Sequence, residues 1–120
     1  MASVQNWKSV EVEVLSPLLS RQCIHGKNIT QARIELKKGC VIPEHRHPSE
    51  QFSHVLQGEL TFRCGEQEIT VHAGEVLTIP PDVPHVTIAA EDTLAIDTFS
   101  PPHRYWRDQG AALAASDRHS

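Results

Sequence analysis

Apolar and polar residues alternate in short runs along most of this chain. The segments 10–14 and 29–37 place valine, alanine, isoleucine or leucine at alternate positions, with charged residues between them. Because successive side chains of a strand point to opposite faces, this pattern predicts half-buried strands. The same reasoning predicts further strands at 52–56, 59–64, 67–72, 76–79, 86–89 and 93–99.

Glycine and proline separate these runs. The pair at 57–58 has the composition of a tight hairpin turn, and glycines at 64–66 and 73–75 mark two more turns. Three prolines within 80–84 predict an irregular corner, because proline cannot donate to a strand ladder. Many short strands with such punctuation indicate an all-β sandwich or barrel.

Length, composition and charge exclude some classes of function but do not identify one. The chain has 120 residues, which fits a single domain spanning 1–120, and a net charge of −4 with histidine neutral. That charge gives no basic surface for nucleic acid or for an anionic membrane. Helix is favoured only at 111–115, an alanine-rich segment followed by a polar, frayed tail at 116–120.

Cysteine usage and the N-terminal segment favour a cytoplasmic protein. Cys23, Cys40 and Cys64 are odd in number and widely spaced, so they imply neither a disulfide framework nor a zinc finger. Residues 1–8 lack the basic and apolar parts of a secretory signal. No apolar run approaches the length that crosses a membrane.

The segment 39–51 concentrates residues that bind metals. His45 and His47 are two apart, so on an extended segment they point to the same side, and Gln51 keeps the same parity. Glu50 is the rival oxygen ligand, but the pleat points it away from Gln51. His85 follows the proline corner, and closing a barrel can bring it beside the others. Three imidazoles and one oxygen predict one divalent transition metal: Zn, Ni, Fe or Mn.

These residues resemble two spaced motifs of the cupins. Gly39, five residues, His45-Arg46-His47, three residues, Gln51, six residues and Gly58 match the first motif closely. Gly74, five residues and the run 80–85 resemble the second. The resemblance covers about 29–99. It implies a double-stranded β-helix, or jelly-roll barrel, with a metal in its mouth, and a homodimer.

The chain departs from the usual cupin pattern at two places. The second motif usually has glycine where Asp82 stands and asparagine where Ile88 or Ala89 stands. Asp82 retains turn chemistry and is expected to be structural. More importantly, the usual glutamate ligand falls on Gln51. A neutral amide leaves more charge on the ion, so we expect a stronger Lewis acid that favours anionic ligands.

A second segment narrows the resemblance. The run Asp97-Thr98-Phe99-Ser100-Pro101-Pro102 resembles the ending of small cupins of the pectin-degradation (KdgF-like) group, which also resembles this chain around Gln51. Those enzymes open unsaturated uronate monosaccharides to linear keto forms. The resemblance implies that Asp97 is the general acid or base and that Phe99 lines the sugar pocket. His103 displaces the group's arginine to Arg104, the candidate for binding the substrate carboxylate.

The function predicted from the sequence is metal-assisted chemistry on a small anionic or sugar-like molecule, within carbohydrate metabolism. Two alternatives use the same features. One is another enzyme on this scaffold, such as a metal-dependent dioxygenase or a polyketide cyclase. The other is a non-catalytic sugar-binding or sensor module, although the chain offers no segment for binding DNA. For Asp97, the structural alternative is a carboxylate bonded to loop amides.

Overall fold

A computed structural model describes residues 1–102 of the chain. Within that part, no helix is long and apolar enough to cross a membrane. The helix predicted at 111–115, the tail at 116–120 and Arg104 lie outside the described residues.

Within residues 1–102, ten strands form two antiparallel sheets. After a single 3-10 turn, Trp7–Ser9, the strands follow in chain order: β1 Glu13–Ser16, β2 Leu19–His25, β3 Thr30–Leu36, β4 Val41–His45, β5 Glu50–Gln57, β6 Glu59–Cys64, β7 Gln67–His72, β8 Val76–Ile79, β9 His85–Ala89 and β10 Thr93–Ser100. The larger sheet has the order β1-β2-β3-β10-β5-β8 and the smaller one β4-β9-β6-β7. The two sheets make the jelly roll that the sequence predicts.

The core lies between the sheets and follows the alternation in the sequence. In β3 and β10 every second side chain is buried, and the residues between are exposed or half-buried. Leucine, isoleucine, valine and alanine supply most of the core, with Phe62 and Phe99 as its aromatic members. Burial of this apolar surface holds the sheets together, and the open end of the sandwich is left for polar groups.

The predicted strands at 59–64, 67–72 and 76–79 have the observed bounds, whereas the N-terminal third differs. The half-buried strand predicted at 10–14 is wrong in that form, because Val12 and Val14 are exposed and β1 begins only at Glu13 on the sheet edge. The sequence pattern does not predict β2, because this strand buries two polar residues, Arg21 and Gln22. The Gln22 amide donates to backbone oxygens of Trp7 and Val10, which satisfies it without an apolar pattern.

Two positions with positive φ form the corners that the motifs require. Gly58 joins β5 to β6 at φ 91°, and a Cβ there would overlap the backbone oxygen of Asp92. Asp82 turns the proline corner at φ 61°, which confirms its predicted turn role. Its backbone N–H donates to the backbone oxygen of His47 at 2.8 Å. The second motif is thereby tied to the first.

The outer face of the larger sheet is partly apolar. Phe52, Leu56 and Val76 project from it with about half of each side chain exposed. The homodimer that the resemblance implies remains a prediction.

Candidate metal centre

Three histidines meet at one end of the sandwich. His45 ends β4 and pairs across the strand ladder with His85, the first residue of β9. His47 follows in the loop before β5. The nearest ring nitrogens of the three lie within 4.8 Å of one another. Among residues 1–102, they are the one group of three or more His, Cys, Asp or Glu side chains close enough to hold a metal ion.

Backbone carbonyls fix the orientation of all three rings. Nδ1 of His45 lies 2.9 Å from the oxygen of Pro43, Nδ1 of His47 is at 2.9 Å from that of Ser49, and Nδ1 of His85 is at 2.9 Å from that of Val83. A carbonyl oxygen can only accept, so each Nδ1 carries the proton. In the neutral ring, Nε2 then keeps its lone pair. Each backbone carbonyl thus holds its ring with the unprotonated nitrogen available to a metal.

Burial adds to this preference for neutral imidazoles. His47 and His85 are buried and His45 is half-buried. Removal from water lowers the pKa of His45, and the bond to Pro43 offsets only part of that effect. An uncharged His45 can donate its lone pair to a cation at neutral pH.

Gln51 stands beside the histidines, as the parity of its strand predicts. Its side chain is 4% exposed on β5, whereas neighbouring Glu50 is exposed. Oε1 of Gln51 lies 3.0 Å from Nε2 of His47. The pleat therefore points the amide, and not the rival carboxylate, at the three rings.

The contact between Gln51 and His47 fits a shared cation. Since Nδ1 of His47 holds the ring proton, two lone-pair-bearing atoms face each other at 3.0 Å. A cation held by both atoms would offset the repulsion between their lone pairs. The donor set of three imidazoles and an amide oxygen suits a divalent transition metal. The residues present fit the metal that the sequence predicts.

Asp97 lies next to this group, on the neighbouring strand β10. Its side chain is 9% exposed, and Oδ2 accepts a hydrogen bond from Nε2 of Gln51 at 3.2 Å. Burial raises the pKa of the Asp97 carboxyl to about 7, although a hydrogen bond from Ser53 opposes this. Oδ1 is buried and has no hydrogen-bond partner among residues 1–102. A carboxyl group bonded only to structural amides would have both oxygens satisfied.

Phe99 forms one wall of the group. It lies on the same face of β10 as Asp97, and its ring stands edge-on to His47, with centroids 5.5 Å apart. The ring is almost fully buried, so most of its surface packs against protein. The position is compatible with the predicted pocket role, which stays a prediction. Arg104, the predicted carboxylate-binding residue, lies outside the described residues.

Sequence analysis missed two serines at this end of the fold. Ser53 accepts a hydrogen bond from Gln51 at 2.8 Å, and Ser49 donates its hydroxyl to the oxygen of Pro101 at 2.6 Å. Both are almost fully buried. Ser49 and Ser53 each lie two residues from Gln51. The alternation of strand side chains could therefore have predicted that both point inward. Nothing in a lone serine would have indicated what it contacts.

Comparison with known proteins agrees with this architecture. The Cupin domain family model matches residues 32–99. The structure of KdgF from a Halomonas species superposes with a TM-score of 0.81 at 22% identity, covering 88% of this chain and 99% of that one. An RmlC-like cupin from Shewanella frigidimarina gives 0.80 at 25% identity, covering 88% and 96%.

A relative found by sequence similarity is an enzyme. The 3-hydroxyanthranilate 3,4-dioxygenase of Meyerozyma guilliermondii is 22% identical over 98 residues, which covers 78% of this chain. The chain spans only 57% of the length of that dioxygenase. The family model covers more than half of the chain and includes all three histidines, Gln51 and Asp97. The chain belongs to the cupin family.

Proposed function

We propose that this cupin is a metal-dependent enzyme that opens small unsaturated uronate sugars to their linear keto forms. The observation that carries the proposal is the buried carboxyl of Asp97, hydrogen-bonded to the amide whose other end faces His47. A proton carrier therefore lies one side chain away from the candidate metal ligands. The resemblance of both segments, around Gln51 and around Asp97, to the pectin-degradation group supplies the substrate class.

In this proposal His45, His47, His85 and Gln51 hold a divalent transition metal. The ion would act as a Lewis acid that polarises oxygen atoms of the substrate. Because all four ligands are neutral, the full charge of the ion remains to attract an anionic sugar. The protein contributes orientation, since backbone carbonyls aim each ring and the fold buries most of the ligand set.

Asp97 moves the proton in the reaction. Ring opening of an unsaturated uronate transfers a proton from a hydroxyl oxygen to carbon and needs no oxidant or reductant. A carboxyl group with a pKa of about 7 can accept and return a proton near neutral pH. Its Oδ1, which no residue in the described part of the chain engages, is the oxygen left for the substrate.

The sequence resemblance adds two further candidates for substrate binding, Phe99 and Arg104. Phe99 excludes water on the side of His47, which strengthens charge interactions at the site. Arg104 would pair with the carboxylate of the sugar, a role that suits the planar guanidinium group.

The direct test is to incubate the metal-loaded protein with unsaturated galacturonate and to follow loss of the ring form by NMR. We expect ring opening faster than in buffer, a large loss of rate in Asp97→Asn, and no acceleration by the metal-stripped protein. His54→Ala is a matched control, because His54 lies on β5 with the parity opposite to Gln51. No gain over buffer from the metal-loaded wild type would exclude this substrate class.

A second candidate is a metal-dependent dioxygenase. It is favoured by the similarity to the 3-hydroxyanthranilate 3,4-dioxygenase and by three histidines, which also suit Fe(II). Purification without added metal separates the two candidates. Colourless zinc disfavours oxygen chemistry, whereas oxygen-sensitive iron, with oxygen consumed as the substrate disappears, favours it.

A further inference from the structure

Ser53 occupies a position between the candidate metal ligands and the proton carrier. It lies on β5 two residues after Gln51, so both side chains point inward. In the strand register it stands directly opposite Asp97 of β10. Its side chain is fully buried. A buried hydroxyl at such a place needs a hydrogen-bond partner, and the amide of Gln51 is one.

Gln51 connects the other two polar side chains through its amide nitrogen. Nε2 of Gln51 donates one hydrogen to Oγ of Ser53 at 2.8 Å and the other to Oδ2 of Asp97 at 3.2 Å. A carboxylate oxygen can only accept, so the contact with Asp97 requires the amide nitrogen on this side. Ser53 accepts the second hydrogen of that nitrogen and completes the set of acceptors there.

The orientation of Gln51 matters because an amide has two different ends. Oxygen can bind a metal, whereas the NH₂ group has no lone pair to give. In the metal-free protein, His47 favours the unproductive orientation, since its Nε2 lone pair would accept a hydrogen from the amide nitrogen. The 3.0 Å contact between Oε1 and Nε2 is the opposite arrangement. Something other than His47 must therefore hold the amide in place.

We propose that Ser53 is a positioning residue that holds the amide of Gln51 with its oxygen toward the metal and its nitrogen toward Asp97. The inference rests on the proposed metal site and does not depend on the substrate. Without the hydroxyl, one hydrogen of the amide loses its partner, and rotation toward His47 becomes competitive. The NH₂ group of Gln51 then faces the metal position, where it cannot act as a ligand.

The test is metal affinity, measured by calorimetry and by competition with a chelator, using Zn²⁺ and Co²⁺. We expect Ser53→Ala to weaken binding by about 10- to 100-fold, the usual effect of removing an outer-shell partner. The Co²⁺ protein should also show a changed visible spectrum, because an oxygen ligand is lost or weakened.

Thr93→Val is the matched control. Thr93 is a buried residue of the same strand as Asp97, and its hydroxyl bonds to backbone atoms of Glu59 and Glu91 at the other end of β10. Loss of that hydroxyl lowers the free energy of unfolding without touching Gln51. We expect metal affinity within about threefold of the wild type for this variant.

A second background separates orientation from packing. The Gln51→Glu variant has two equivalent oxygens, so rotation no longer changes which atom faces the metal. Ser53→Ala should then weaken binding by less than about threefold, and the double-mutant cycle should show strong coupling. Equal losses in both backgrounds, or a Ser53→Ala protein that binds as tightly as wild type, would overturn the role of Ser53. A wild type that binds no metal would overturn the site itself, which is a different result.

Discussion

Gln51 and Asp97 lie on the adjacent strands β5 and β10, and the amide of Gln51 donates to the carboxyl of Asp97 at 3.2 Å. The same amide directs its oxygen at His47. One neutral side chain therefore links the candidate metal ligands to the candidate proton carrier. A glutamate here would place a second negative charge beside a buried carboxylate, which is unfavourable.

The first prediction concerns that substitution. Gln51→Glu should bind Zn²⁺ about tenfold more tightly, or roughly 1.4 kcal/mol, because a carboxylate donates more charge to the ion. It should also slow ring opening, since the ion becomes a weaker Lewis acid. Calorimetry and the NMR assay measure the two effects on one protein sample. A variant that binds more tightly and turns over equally fast contradicts the role given to the neutral amide.

The second prediction concerns the stability of the metal-free protein. The folded pKa of Asp97 is raised from 3.8 to about 7, so folding is favoured when the carboxyl is protonated. The stabilisation that comes from the protonated carboxyl is fully present below pH 4 and is lost as the pH rises to about 7. Above that pH the free energy of unfolding is lower by about 4 kcal/mol.

Asp97→Asn removes this penalty, so it should be more stable than wild type at pH 8 and similar to it at pH 4. Urea denaturation of both metal-free proteins at the two pH values measures the difference. Asp92→Asn is the control, because Asp92 is an exposed carboxylate near the other end of β10. An Asp97→Asn advantage of the same size at both pH values would contradict the assigned cause.

The third prediction tests the ligands directly. Metal binding should weaken by more than about 100-fold in each of the variants His45→Ala, His47→Ala and His85→Ala. That is more than the usual loss when a residue that only supports a ligand is removed. His72→Ala is the control, since His72 is exposed and its ring pairs with Glu59 and Glu75 on the surface. Retention of a full equivalent of metal by any of the three variants would remove that residue from the site.

The fourth prediction concerns the turn between β5 and β6. Gly58→Ala places a Cβ against the backbone of Asp92 at a positive φ, so it should lower the free energy of unfolding by about 3 kcal/mol or more. Gly74→Ala has a similar φ, 88°, but open space around the added carbon, and should lower the free energy of unfolding by only about 1 kcal/mol. Equal losses of unfolding free energy in urea would show that backbone strain, and not the contact with Asp92, determines the effect of both substitutions.

Alternation and turn chemistry predict the fold well where strands are half-buried. The strands from β6 to β8 have their predicted bounds, and parity alone places Gln51 inside and Glu50 outside. Prediction fails where burial is achieved by pairing polar groups. β2 buries Arg21 beside Glu13, so its pattern does not look apolar. The prediction for segment 10–14 fails for the opposite reason: Val12 and Val14 look like core residues, but an edge segment can leave valines exposed.

For the candidate site, the sequence indicates which residues converge but not how they are oriented. The spacing of His45, His47 and His85 is sufficient to expect them together. The direction of each Nδ1 bond, the face of Gln51 that meets His47, and the contact with Ser53 all depend on backbone positions in other strands. Such details follow from register, which a single sequence does not specify.

His45 and His85 are cross-strand partners, and Asp82 of the second motif donates its backbone N–H to His47 of the first. The centre is therefore a seam between two distant stretches of chain. A slip of β9 by one residue along β4 would turn His85 to the opposite face and bring Val86 to the seam. Metal affinity would therefore report on strand alignment, because the three rings converge only when β4 and β9 pair in this register.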